Sequence, residues 1–219
     1  FYGARVLFIY LLLMLLKAQK KSEPVALSVR CTIKPLTPDL IKDYLSFFDN
    51  MVFTENPHWS ICYCFSFHFT GTKEQWTKER NRSSVIKFIN EGRMKGYLAY
   101  DNGKPVGWCN ANDRKNYQSL MKYYDLADNN ENKVCSIVCF LISPDYRRKG
   151  VAQKLLEQIC ADYKLRDYDY LEAYPGKGKL SCEGNYKGPV SLYEKLDFKI
   201  VKEYEDYYVV RKMLKLISE

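Results

Sequence analysis

The sequence has no CxxC pair and only two histidines, His58 and His68. A structural zinc site draws on four closely spaced Cys or His ligands, so no metal is expected. The eight cysteines (Cys31, Cys62, Cys64, Cys109, Cys135, Cys139, Cys160 and Cys182) sit mostly inside apolar strand- or helix-like patterns. There a reduced cysteine acts as a small hydrophobe. Such spacing in 219 residues is not a disulfide framework, and it points to a reducing, cytoplasmic compartment. No internal repeat is present, and no low-complexity linker follows residue 24. A general excess of positive charge is also missing. The net charge is +8, but residues 1–21 carry Arg5, Lys17, Lys20 and Lys21 and no acid, leaving about +4 on the rest. A nucleic-acid footprint would need more basic residues gathered on one face, so no nucleic-acid partner is expected. Nor is there a membrane-length apolar run: Val6–Leu16 is 11 residues, where a span needs about 20.

What is present divides into a hydrophobic extension, residues 1–24, and one domain, residues 25–219. For the extension, a helix packed on the domain or on a neighbour is favoured over an interfacial membrane helix. The domain reads as alternating strands and helices. LSVRCTIKPL, from Leu27, alternates like a first strand. Thr37-Pro38-Asp39 then has the composition of a helix start, and Thr72 with Gln75 forms a capping box for a second helix reaching about Asn90. Asn102-Gly103 between two strand-like runs signals a hairpin. KVCSIVCFLIS is nearly continuous in apolar residues, as a strand buried on both faces is. A helix follows from Gly150, then the strand YDYLEAYP, a short helix in PVSLYEKLDF and a closing hairpin. The order is strand, two helices, three strands, helix, strand, helix, two strands, which is an α/β (α+β) layer fold on a mixed sheet.

The stretch SPDYRRKGVAQKLLEQICADY places Arg147, Arg148 and Lys149 directly before Gly150 at the mouth of a helix. A helix start offers unpaired N–H groups and the positive end of a dipole, and therefore suits phosphate. Gly150 and Ala152, either side of Val151, keep bulk away from the approaching anion, and the three cations raise the local potential. The bland alternative is a solvated basic turn.

CFLISPDYRRKGVAQKLL resembles motif A of the GNAT superfamily of N-acetyltransferases, Arg/Gln-x-x-Gly-x-Gly/Ala, met here by Arg147, Gly150 and Ala152. SLYEKLDF and the order of elements from about Leu27 to Leu216 extend the resemblance. It implies the GNAT fold, with a mixed sheet of six or seven strands flanked by helices, and acetyl-CoA as co-substrate. The acetyl group would pass directly to a primary amine. By the same resemblance the pantetheine arm lies along Phe140, Leu141 and Ile142, contacted through backbone groups, and N–H groups near Cys139 and Phe140 polarise the thioester carbonyl. Tyr193 matches the tyrosine acid of the family's Leu-Tyr-x-x-x-Gly-Phe pattern, although Asp197 replaces the glycine. The family's asparagine position ahead of it holds Tyr186, with Asn185 one residue away as a candidate coenzyme contact.

The base is less marked. Some relatives carry a Glu on the strand before motif A, which has none here. Glu172 on the next strand is the candidate, and a Glu paired with a lysine at the sheet end is an equal reading. HWSICYCFSFHF, if extended, would put aromatics on one face. In similar folds the region between the first two helices borders the acceptor site, so the resemblance makes Trp59, Tyr63 and Phe65, with Trp108, candidates to line an acceptor pocket, although core packing is the more frequent fate of any one of them. A small amine-bearing molecule is expected as acceptor. A protein or peptide amine, or a non-catalytic acyl-CoA-binding module, stands as the alternative, and a homodimer stands open.

Overall fold

Among the described residues, seven strands and four α-helices account for the alternation. The computed structural model describes residues 29–120, 132–181 and 184–215. The hydrophobic extension and the start of the first strand reading lie outside the described residues. The strands are β1 (Thr32–Pro35), β2 (Tyr97–Asp101), β3 (Lys104–Asp113), β4 (Val134–Ile142), β5 (Tyr170–Ala173), β6 (Lys199–Glu203) and β7 (Tyr208–Met213). They form one sheet in the order β1-β2-β3-β4-β5-β7-β6, antiparallel except for the parallel pair β4–β5. The helices are α1 (Ile41–Asn50), α2 (Lys78–Asn90), α3 (Val151–Leu165) and α4 (Val190–Glu194). Among the described residues no helix is long and apolar enough to cross a membrane.

The sheet separates two cores. On one face Trp108 and Val138 of the sheet pack with Tyr44 and Phe48 of α1, Val85 and Ile89 of α2, and Tyr63. The other carries Val106, Cys135, Ile137 and Phe140 beneath α3, whose Val151, Leu155, Leu156, Ile159 and Tyr163 are buried. β4 lies between them and is buried over Val134–Phe140, as its unbroken apolar run requires. The hairpin turn has Asn102 and Gly103 both at positive φ, 47° and 78°, the conformation that a tight two-residue turn demands. Gly107 serves α3. A Cβ there would come within 2.9 Å of the Val151 side chain, so its absence lets the start of α3 settle onto β3.

Two helix starts differ from the sequence reading. Thr72 and Gln75 do form a capping box, but on the 3₁₀ turn Lys73–Gln75. α2 begins later, capped by Thr77, whose hydroxyl accepts from the Arg80 N–H at 3.3 Å. Pro38–Leu40 is likewise a 3₁₀ turn leading into α1, and Thr37 makes no side-chain cap bond.

The aromatic stretch is not extended. It is wound into the 3₁₀ turns Pro57–Ile61 and Ser66–His68, joined through Tyr63 and Cys64 at φ 44° and 52°. His68 is buried there beside Phe65, Phe88 and Tyr117, with Nδ1 3.1 Å from the Asn116 carbonyl. Burial depresses its pKa from 6.5 to about 4. The unfolded chain therefore takes up a proton below pH 6.5 that the native state refuses, so stability present at neutral pH is lost as pH falls towards 4. The loss is about 3 kcal/mol over that window. Urea titrations of wild type and His68→Phe at pH 7 and pH 4 should differ by that amount. Equal pH slopes would show that His68 titrates normally.

Candidate active site

β4 and β5 pair only from Val134↔Tyr170 to Ile137↔Ala173. Beyond Ile137, β4 continues to Ile142 alone on that side and parts from its parallel neighbour. The parting coincides with a β3–β4 register shift, where Asn110↔Cys139 is followed by Ala111↔Ile137 and Val138 is the extra residue. A bulge of this kind bends a strand and increases its twist. The edge at Phe140, Leu141 and Ile142, no longer paired with β5, then lines a narrow groove that ends at Arg147.

At that end stands the mouth of α3. Gly150 is its N-cap at φ +81°, with open space around a notional Cβ and no side-chain cap. Its carbonyl accepts from the Lys154 N–H, so the N–H groups of Val151, Ala152 and Gln153 stand outside the helical ladder. Arg148, at φ 59°, and Lys149 are exposed. Arg147 Nε donates to the Ile142 carbonyl at 3.3 Å, and Nη1 meets Glu55 Oε2 at 2.5 Å. Arg147 thus joins the groove to the helix mouth. Its pair with Glu55 is partly exposed, so it is weak enough for a competing anion to displace. Glu55, 92 residues away in the chain, carries no sequence signal.

The groove opens into a cavity of about 230 Å³ between β4 and the wound aromatic segment. Phe53, Trp59, Leu141 and Tyr186 are shared by groove and cavity. Of the four expected pocket aromatics only Trp59, 38% exposed, lines this space. Tyr63, Phe65 and Trp108 are buried in the core: the winding of residues 57–69 turns Tyr63 and Phe65 inward, and Trp108 of β3 packs against Tyr44 and Phe48 of α1. Cys62, Cys64, Ser66, Phe67 and Cys139 complete the cavity wall. A larger cavity of about 520 Å³ lies elsewhere, beside Pro35, Tyr97 and Arg166, and includes none of the motif residues.

The remaining expected residues are placed as follows. The Phe140 N–H donates to the Tyr186 carbonyl, so in this arrangement it is not free to polarise a thioester. Tyr186, at the position where the family pattern has asparagine, is the residue that faces the groove. Asn185 donates instead to Leu180 and Ser181 carbonyls within its own loop. Tyr193 is buried, its ring edge-on to Phe140 at 6.4 Å and its hydroxyl donating to the Lys187 carbonyl at 2.5 Å. Burial pushes its pKa well above the usual tyrosine value. Asp197 adopts φ 63°, as the glycine it replaces would.

Glu172 is fully buried away from the cavity. Arg114 Nη1 lies 3.3 Å from Oε1, the Tyr174 hydroxyl donates to Oε1 at 2.6 Å, and Arg211 Nε donates to Oε2. With both oxygens occupied by guanidinium groups, it is an ion-pair hub, and the expectation of a base is corrected accordingly. Among the described residues no cluster of three His, Cys, Asp or Glu side chains could hold a metal.

Comparison with known proteins agrees with this geometry. An N-alpha-acetyltransferase of Saccharolobus solfataricus is 38% identical over 72 residues, which are 33% of this chain and 40% of that protein. The match therefore spans less than half of the relative's length. Among solved structures, an N-acetyltransferase from Staphylococcus aureus Mu50 superposes with a TM-score of 0.51 at 14% identity, over 85% of this chain and 99% of that one. A chain of the NatC complex bound to Gag peptide and CoA superposes at 0.50 and 15% identity, over 84% and 99%. At such identities these structures are similar in fold alone. The acetyltransferase (GNAT) family matches residues 61–198, a span that holds the parted strands, the α3 mouth and Tyr193, and the chain belongs to that family.

Proposed function

We propose that this protein transfers an acetyl group from acetyl-CoA to a primary amine. The observation that carries the reading is the junction of Arg147, the open N-terminus of α3 at Gly150 and the edge of β4 that has parted from β5. The helix mouth and its cations would hold the pyrophosphate. The pantetheine arm would follow Phe140 to Ile142 into the cavity, displacing the Tyr186 carbonyl and the Glu55 carboxylate.

The acceptor we favour is a small amine. A cavity of about 230 Å³ walled by Phe53, Trp59, Phe67 and Leu141 has no carboxylate in its lining. It suits a compact, partly apolar amine that loses its proton before it enters. The 72-residue likeness to an N-alpha-acetyltransferase favours a second reading, in which the cavity receives the first residue of a peptide. Release of coenzyme thiol, followed over a panel of small amines and N-terminal peptides, tests both. Turnover of small amines is expected; turnover confined to peptides establishes the second reading, and none with any amine overturns both.

Tyr193 would protonate the departing thiolate once its hydroxyl leaves Lys187. Tyr193→Phe keeps the ring in place, so kcat should fall about 10- to 1000-fold with little change in KM. Wild-type kcat in the folded variant would leave Tyr193 as packing alone.

A further inference from the structure

Between residues 65–71 and α2 lies another cavity, of about 200 Å³, which shares no residue with the one beside β4. It is smaller than a drug-sized pocket of roughly 300–1,000 Å³, so it suits a compact group. His68, 3% exposed, forms part of its buried wall. The Asn116 carbonyl can only accept, so the Nδ1 beside it carries the imidazole proton. Burial, with a smaller push from the Arg93 guanidinium, holds the pKa down at about 4 and keeps the ring neutral. Nε2 is then a bare acceptor. It is buried and meets no partner. Native structures seldom leave a buried polar atom so, and the cost is about 1–3 kcal/mol. Nε2 sits on the ring edge away from Asn116, which is not in the cavity wall. Phe65 and Phe88, which pack on the same imidazole, are in it.

The outer wall has the opposite character. Arg80 and Arg93 line it, and no carboxylate does. The Arg93 guanidinium lies 3.8 Å from the centre of the Phe88 ring, and that of Arg80 lies 5.9 Å from the centre of Phe69. Stacking on a ring steadies a guanidinium while its N–H edge stays available to an anion. Arg93 also meets Glu91 at 3.3 Å, in a pair exposed enough for a competing anion to displace. Ser84 and Gln118 add a hydroxyl and an amide. The two guanidinium groups call for negative charge, whereas the Nε2 lone pair repels a bare anion and takes a donor. A carboxylate or a sulfate brings charge without a proton at neutral pH. An alcohol or an amine brings a donor without negative charge. A phosphate monoester loses its last proton above about pH 6. Free phosphate still carries both charge and an O–H at neutral pH.

We propose that this cavity binds free phosphate, whose O–H donates to His68 Nε2 while its charged oxygens accept from Arg80 and Arg93. The site is separate from the coenzyme path and stands independently of the acetyl-CoA reading.

Calorimetry on the full chain in a phosphate-free buffer at neutral pH tests this, with inorganic phosphate, sulfate and methyl phosphate as titrants. Phosphate should bind one-to-one. Sulfate and methyl phosphate should bind at least about 10-fold more weakly, since neither brings the O–H. Arg80→Gln and Arg93→Gln, both at exposed positions, should each weaken phosphate about 10-fold in a folded protein. Gly150→Glu, which places a carboxylate at the α3 mouth, should leave phosphate binding unchanged and so tells the two anion sites apart. In nitrogen NMR spectra of the imidazoles at constant pH, phosphate should move the His68 Nε2 signal and leave the exposed His58 in place. Sulfate bound as tightly as phosphate, phosphate binding that Gly150→Glu abolishes, or a His68 Nε2 signal unmoved at saturation overturns the proposal. So does a folded wild type that binds no phosphate.

Discussion

Glu172→Ala is expected to lower the unfolding free energy by about 3–5 kcal/mol, the cost of removing one partner from a buried ion pair. Whole-domain stability is only about 5–15 kcal/mol, so the variant should lose much of its native population. Glu172 is fully buried in β5, and its two oxygens serve Arg114, Arg211 and the Tyr174 hydroxyl. Arg114 opens the 3₁₀ turn that follows β3 and Arg211 lies on β7, so the carboxylate of β5 ties its neighbour strand and the turn after β3 together. Without it, two guanidinium groups crowd a low-dielectric site with their main counter-ion gone. Denaturant titration measures the loss. Glu172→Gln separates this role from a catalytic one. An ion-pair hub predicts a destabilised Gln variant whose residual folded fraction keeps the pH–rate profile. A Gln variant as stable as wild type but inactive would return Glu172 to the role of base.

That carboxylate shows where the sequence could be read and where it could not. A Glu inside an apolar strand announces that something must compensate it, but Arg114 and Arg211 lie 58 and 39 residues away in the chain. Strand patterning carries no sign of which basic residue arrives. The elements set by local periodicity were legible: β4 from its apolar run, the hairpin from Asn102-Gly103, the α3 mouth from Gly150 behind three cations. All seven strands stand in the expected chain order. The stretch from His58 was not legible, since alternating aromatic and small residues satisfy the strand template. Only the pair of left-handed residues at Tyr63 and Cys64 reveals the winding, and their conformation is imposed by Tyr44, Asn81 and Asn110 from other elements. Two acceptor candidates failed for that reason: the misread segment carries Tyr63 and Phe65 into the core, while Trp59 of the same stretch lines the cavity.

Gly150→Glu is expected to raise the Kd for acetyl-CoA by roughly 1000-fold while leaving the protein folded. The fold tolerates the change. A Cβ at Gly150 meets nothing within 4 Å, and a carboxylate at a helix N-terminus is favourable to the helix itself. The main structural cost is a non-glycine residue at φ +81°, about 1–2 kcal/mol. Binding is another matter, since the new carboxylate would occupy the place we propose for the pyrophosphate. Two like charges about 4 Å apart near a protein surface repel by about 4 kcal/mol, and each 1.4 kcal/mol is about tenfold in affinity. The carboxylate would also accept from the N–H groups of Val151 and Ala152 that the phosphate needs, and would draw Arg147 away from the groove. Gly150→Ala carries the same backbone strain without the charge, so its affinity should fall far less. Calorimetry on both variants, with circular dichroism to confirm folding, checks the pair. Equal losses in Ala and Glu would mean that loop conformation, and not anion binding, governs the site. Undiminished affinity in a folded Glu variant would remove the α3 mouth from the coenzyme path.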